Sequence, residues 1–413
     1  MKDGTAAEGS CAGALDGLRV LDFTLMLAGP FCTQLLADQG AEVIKIEPIT
    51  GDLTRSVGPF HPDDKQRAFG GYFQSVNRNK MSIALDLKRA EAREIVLKLA
   101  RRADVVVENF RAGVMDRLGL SFELLRQENP KLVYAAIRGF ADPRTGVSPY
   151  TDWPAFDVVS QAMGGVMGIT GPDANSPTKV GPGVGDLVPA MLAAYGVMAA
   201  VFRAQRTGRG QFVNVALVDG VLALCERIVY QYSYEGKVSH PEGNRHPLLC
   251  PFGMFPASDG WITLACPSED FWRQLCIIIE RQDLLADPRF ADNQTRVHSA
   301  DAVYEAVSAY TCRYSKRELA EKIGGQVPFG PVYDIADICA DAHFRGGGML
   351  AEVEQPGMDK PLLIVGVPVR MSETPGRIRH RAPLLGEHSD TVLRNAGCDA
   401  SEIARWREAG ALA

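Results

Sequence analysis

The sequence predicts an α/β protein with a parallel sheet and a smaller domain inserted near its middle. Three observations carry this. Strand-like and helix-like apolar patterns alternate from residue 18 to about residue 140. The links between these strands are long enough to hold a helix, which a parallel sheet requires and a hairpin does not. Around residues 235–251 the alternation gives way to a polar, turn-rich segment that includes Gly243-Asn244-Arg245-His246-Pro247.

The elements follow in order. Residues 18–23 read as a buried strand ending in polar residues, with a turn at Ala28-Gly29-Pro30. Residues 31–39 have helical apolar spacing, and Gly40 stops them. Residues 41–47 form a second strand, closed by Pro48. No G-x-G-x-x-G follows the first strand, so the dinucleotide fingerprint is missing. The pattern repeats as strand 81–87, helix 89–102, strand 103–109, helix 119–128 with Ser121 as its cap, and strand 132–137. In such an open sheet, ligands gather at the carboxyl ends of the strands. A loop over 142–152 leads to a helix at 156–167, a long loop at 170–183 and a helix at 186–206. A strand over 211–217 and a helix over 219–234 come next. Short strands at 254–255 and 261–265 flank Asp259-Gly260, and charged, aromatic helices run from Asp270 to about Lys322. Residues 327–332 look like a linker, followed by strands near 351–353 and 362–365 and a final helix. The expected division is a large domain over 1–225, a small domain over 226–325, and a return to the large domain over 326–413.

Composition narrows the class. A chain of 413 residues has room for two domains. A hydrophobic share of 46% with 23% charge is that of an ordinary globular protein. The net charge is −6 and Lys and Arg lie scattered among acids, so no basic stripe offers itself to nucleic acid. Nine cysteines are spread singly from Cys11 to Cys398 without a CxxC pair. This argues against a disulfide framework or a zinc site and for the reduced thiols of a cytoplasmic protein. Residues 1–17 carry Lys2, Asp3 and Glu8 and no apolar segment, unlike a signal peptide. The most membrane-like stretch, 187–202, is short, contains Pro189 and Tyr195, and is expected as a buried core helix.

One stretch stands out chemically. Gly183-Val184-Gly185-Asp186 sets a lone carboxylate between a glycine-rich turn and a helix. An aspartate there can cap the helix. A carboxylate held ionised at a helix start can also be a nucleophile. The stretch by itself is compatible with both.

Other runs add to it: Leu18-Arg19-Val20-Leu21-Asp22-Phe23-Thr24, Leu27-Ala28-Gly29-Pro30-Phe31, and Gly40-Ala41-Glu42-Val43-Ile44-Lys45-Ile46-Glu47. Further along stand Ser75-Val76-Asn77-Arg78-Asn79-Lys80, Val107-Glu108-Asn109-Phe110-Arg111, Thr207-Gly208-Arg209-Gly210-Gln211 and Ala382-Pro383-Leu384-Leu385-Gly386-Glu387-His388. Each run is weak alone. In this order and spacing, the chain resembles the family III coenzyme A transferases, the CaiB/BaiF group, over about residues 14–393. The resemblance implies a Rossmann-like large domain built from both chain ends, a smaller inserted α+β domain, and an intertwined homodimer of interlocked rings.

It also implies chemistry. Asp186 matches the family's catalytic aspartate, which attacks an acyl-CoA thioester and passes through an anhydride and an enzyme thioester. Asp157 matches a supporting carboxylate, though a plain helix-start acid reads the same way. Racemases of the group carry a histidine where this chain has Phe156, which cannot move a proton, so acyl transfer is favoured over racemisation. The positions matching CoA contacts are Leu27, Ala28, Leu85 to Lys88, Asn109, Phe110, Arg111 and Arg117. Lys88, Arg111 and Arg117 would meet phosphates, or they are solvated surface charges. Leu27 replaces the glutamine of formyl-CoA transferase, and the glycine-rich lid of that enzyme is missing from 243–255, which speaks against oxalate and formate. In that region Asn244, Arg245 and His246 either hold the far carboxylate of a dicarboxylic acid or form an ordinary loop. The expected activity is CoA transfer from a succinyl-CoA-type donor to a small dicarboxylate, with no metal, flavin, nicotinamide or tightly bound cofactor. An α-methylacyl-CoA racemase and a silent acyl-CoA-binding protein are the alternatives.

Overall fold

The computed structural model describes residues 13–413. Cys11 and the stretch 1–12, weighed above for a leader, lie outside the described residues. The chain divides into two units. One comprises the described residues up to Val166 with Val180–Arg227 and Ala342–Ala413; the other comprises Met167–Lys179 and Ile228–Asp341.

The first unit is built on six parallel strands: β1 (Arg19–Asp22), β2 (Glu42–Glu47), β3 (Lys80–Ala84), β4 (Val105–Glu108), β5 (Val133–Arg138) and β6 (Phe212–Ala216). Their order is β3-β2-β1-β4-β5-β6, which places the reversal of strand order between β1 and β4. Leu21 pairs with Ile44 on one side and Val106 on the other. Val105, Val106 and Val107 have no exposed surface, because a parallel sheet is covered on both faces and β-branched side chains suit it. Leu21, Ile44, Val106 and Tyr134 pack with the helix Ala90–Ala100 and with Trp406 from the end of the chain. Val20, Val43, Val105 and Val133 pack with the helices Ala28–Asp38 and Val184–Thr207. Both ends of the chain therefore enter one core. An antiparallel pair, β10 (Leu350–Val353) and β11 (Leu362–Val365), belongs to this unit as well.

The helix Val184–Thr207 is long and apolar enough to cross a membrane by length and composition. It buries Ala190, Ala193, Ala194, Ala200 and Ala204 in the core, small residues that let its backbone approach the sheet. Its other side leaves Met191, Leu192, Tyr195 and Phe202 exposed.

The second unit has an antiparallel sheet of β7 (Phe252–Ala257), β8 (Gly260–Ala265) and β9 (Phe329–Pro331). The helices Glu269–Ile278, Ala300–Thr311 and Lys316–Ile323 close its core around Phe255, Trp272 and Tyr310. Ser315 and Glu318 cap the last of these reciprocally.

Four expectations change. Residues 327–332, expected as linker, contain β9, because Phe329 pairs with Leu264. The helix expected over 219–234 breaks at Cys225 into Leu217–Leu224 and Glu226–Glu235, a break that apolar spacing does not register. The helix expected over 156–167 ends at Met163, since Gly164 packs on Val221 and Gly165 takes φ 99°. A helix at Gly71–Asn77 was not anticipated.

Candidate active site

The loops at the carboxyl ends of β1, β4 and β5 surround a cavity of about 280 Å³ at the reversal point. Leu27, Ala28, Asn109, Phe110, Arg111 and Asp186 line it, with Trp153 and Phe156 on its wall. The sheet order alone would place a ligand here.

Asp186 arrives on the long helix, but not as its cap. The cap position is Gly183, which makes no side-chain cap bond, and Asp186 lies in the first turn. Burial pushes its carboxyl up to about 7, and the charge of Asp157 adds to the effect. The carboxyl at this helix start is therefore held above the usual carboxylate range.

Asp157 opens the helix Asp157–Met163 directly after Phe156. Its Oδ1 accepts the Gly185 N–H at 2.8 Å. The Gln161 amide donates to Oδ1 at 3.0 Å and Oδ2 at 2.9 Å, while its own oxygen accepts the Val180 N–H at 3.0 Å. Gly185 makes this approach possible. A Cβ there would sit 2.4 Å from the Asp157 carbonyl oxygen and 3.0 Å from Oδ1. The glycine therefore brings the two aspartates together, a role its place in the Gly-Asp run did not reveal.

Tyr72, from the unanticipated Gly71–Asn77 helix, was missed by sequence reasoning. Burial raises its hydroxyl to about 12, and Asp186, Asp52 and Asp157 add to this, so it stays a neutral donor near the pair. Its only signal was an aromatic residue three positions before the Ser75–Lys80 run.

The remaining candidates divide. Leu85 is fully buried and bridges Leu412. Lys88 and Arg117 are exposed, on segments that follow β3 and β4, and do not line the cavity. The Asn109 side chain binds the backbone of Leu25. Asn244, Arg245 and His246 belong to the second unit. Arg245 pairs with Asp301 at 2.5 Å and lies over the Tyr304 ring at 4.3 Å. The Asn244 carbonyl accepts from Met254, the His246 N–H donates to Phe252, and His246 Nδ1 accepts from Leu248. The cavity around Arg245 also holds Glu242, Asp301 and Glu305. Among the described residues no cluster of three His, Cys, Asp or Glu side chains could hold a metal ion.

Comparison with known proteins agrees with this geometry. The CoA-transferase family III profile matches residues 15–389. A succinyl-CoA:mesaconate CoA-transferase of Haloarcula marismortui is 48% identical over 94% of this chain and 97% of its own length. A succinate–glutarate CoA-transferase of Agrobacterium fabrum is 37% identical over 92% and 94%. The crystal structure of a CaiB/BaiF family protein from Brucella suis superposes with a TM-score of 0.82 at 33% identity, covering 93% of this chain and 100% of the other.

Proposed function

Since the chain belongs to CoA-transferase family III and is an enzyme of that class, we propose that Asp186 is the nucleophile that moves CoA from succinyl-CoA to a small dicarboxylic acid. The observation that carries this is a carboxyl placed in the cavity at the sheet's reversal point and pushed up to about 7. A carboxylate that binds its proton more tightly is a stronger nucleophile once ionised. One Asp186 oxygen attacks the thioester carbonyl, the C–S bond breaks, and CoA leaves as thiolate, giving a mixed anhydride. Thiolate then attacks the aspartyl carbonyl and releases succinate, leaving an aspartyl thioester. The acceptor carboxylate attacks that carbonyl and expels thiolate again. Thiolate captures the acceptor's acyl group, and free Asp186 returns. In this reading the Tyr72 hydroxyl, near both aspartates, donates to the oxyanions.

In this reading Leu27, Ala28, Phe110 and Arg111 hold CoA in the cavity, and Lys88 and Arg117 meet its phosphates. The relatives act on succinyl-CoA with mesaconate and on succinate with glutarate, which favours a dicarboxylate acceptor. Phe156 favours transfer over racemisation, since α-proton exchange on both faces needs two proton carriers. We also assign an intertwined homodimer, supported by the exposed apolar side of the long helix. A cytoplasmic location suits cysteines spread singly along the chain without a CxxC pair.

The test supplies succinyl-CoA with mesaconate, glutarate, itaconate, citramalate, malate and oxalate. New thioesters are read by mass spectrometry, and light scattering gives the oligomeric state. Conversion of one dicarboxylate that is lost in Asp186→Asn is expected. Turnover that survives in Asp186→Asn would remove the nucleophile from this scheme.

A further inference from the structure

Leu27 is presented to the cavity by a loop held from β2 and β4. The loop runs from the end of β1 to the helix Ala28–Asp38, and its next-to-last residue, Met26, has φ 69°. That is the left-handed region, which a side-chain-bearing residue enters only when its surroundings hold it there. Leu27 lines the cavity with Asp186 and packs on the turn before it: a Cβ on Gly183 would lie 3.1 Å from Leu27 Cδ2.

The loop's backbone groups go to side chains of neighbouring segments. The Thr24 N–H donates to Asp22 at 2.9 Å and the Thr24 carbonyl accepts from Lys45 Nζ at 2.7 Å. The Met26 N–H reaches Asp52 only at 3.5 Å. Leu25 is gripped at two points. Its N–H donates to Asn109 Oδ1 at 2.9 Å, and its carbonyl accepts from Asn109 Nδ2 at 2.8 Å. Asn109 follows β4 directly, so the grip crosses the sheet's reversal point. A side chain with a donor and an acceptor on adjacent atoms can satisfy both backbone groups of one residue; aspartate and leucine cannot.

We propose that Asn109 is a positioning residue, a two-point clamp on Leu25 that holds Met26 in its left-handed conformation and thereby sets Leu27 against Gly183 beside Asp186. Its amide then acts through the loop and not by contact with CoA. This rests on the functional reading above, which names the reaction the clamp serves.

The experiment is a double-mutant cycle with Asn109→Ala and Met26→Gly. Glycine takes positive φ as readily as negative, so it reduces the loop's dependence on the clamp. In the natural background Asn109→Ala is expected to lower kcat for succinyl-CoA turnover 10- to 100-fold, with KM for the donor changed less than threefold. In the Met26→Gly background the same substitution should cost less than fivefold. A direct CoA contact predicts the reverse: a raised KM and an equal cost in both backgrounds. Either that pattern or a kcat within twofold of the natural enzyme overturns the clamp. If Asn109→Ala does not fold, Asn109→Asp, which keeps the acceptor and loses the donor, takes its place in the cycle. Amide hydrogen exchange at Leu25 and Met26 gives a readout apart from turnover and should quicken at least tenfold in the variant. If the natural enzyme transfers no CoA but this exchange quickens, the functional reading fails and the clamp stands. Unchanged exchange overturns the clamp whatever the activity.

Discussion

Buried carboxylates in the first unit meet opposite fates. Asp22 and Glu47, at the carboxyl ends of β1 and β2, have no exposed surface. Burial alone would raise both. For Asp22 the lysines Lys80 and Lys45 and the hydroxyls of Thr24 and Thr33 reverse this, and its carboxyl lies below the usual range. For Glu47, Arg55, Lys45 and Ser82 do the same. Asp186 is less buried, yet its carboxyl is raised, because its charged neighbour Asp157 acts in the same direction as burial. Among these three, depth does not separate the groups and the sign of the neighbour does, whereas at Glu108, the end of β4, burial outweighs even the paired Arg138 and the carboxyl is raised. Cations stand beside the carboxylates that build the sheet's carboxyl edge, and an anion stands beside the one assigned to react.

The largest way to test this contrast is to remove the reactive member. Asp186→Asn is expected to lower kcat by about 10⁴-fold or more, measured as CoA product by mass spectrometry, because an amide in place of the carboxylate cannot form the proposed anhydride. Removing a cation from the structural set should instead cost stability. Lys80 Nζ lies 2.9 Å from Asp22 and both side chains are fully buried. Lys80→Met leaves that carboxylate buried without its nearest cation and should lower unfolding stability by about 3–5 kcal/mol in a urea titration.

A smaller effect is the pH profile. Asp186 reacts as the anion, so single-turnover release of CoA should fall about tenfold per pH unit below about 7. Asp157→Asn removes the like charge and should move that limb to lower pH. A limb that stays in place would show that burial alone sets it.

The smallest effect separates the two kinds of carboxylate by linkage. Asp186 binds its proton more tightly folded, at about 7, than its ordinary 3.8. Its stabilising contribution is therefore complete below about pH 4 and lost as pH rises through 7. Asp186→Asn lacks this loss and should be more stable than the natural protein by about 1–2 kcal/mol above pH 7, a figure discounted for partial exposure. The gain should vanish near pH 4. Asp22 has the opposite sign: its contribution is present above its ordinary 3.8 and is lost as pH falls through its lower folded value. Denaturation midpoints across pH 3–9 would show both signs, and a gain independent of pH would rule out the linkage.

Sequence periodicity determined much of this protein. The parallel strands, most of the helices between them and the Gly-Asp run were legible, because apolar spacing and turn chemistry act over a few neighbouring residues. So were five of the cavity's CoA candidates, Leu27, Ala28, Asn109, Phe110 and Arg111, through runs that resemble a known family. Only the tertiary structure decided what those residues do locally. It moved the helix start from Asp186 to Val184 and showed Gly185 admitting Asp157 to the turn that carries Asp186. It also placed Tyr72 near both aspartates and turned the Asn109 amide onto Leu25. The physical reason is distance along the chain. Lys80 meets Asp22 across 58 residues and Asn109 meets Leu25 across 84, and a charge or a hydrogen bond formed over such a span leaves no period in the sequence.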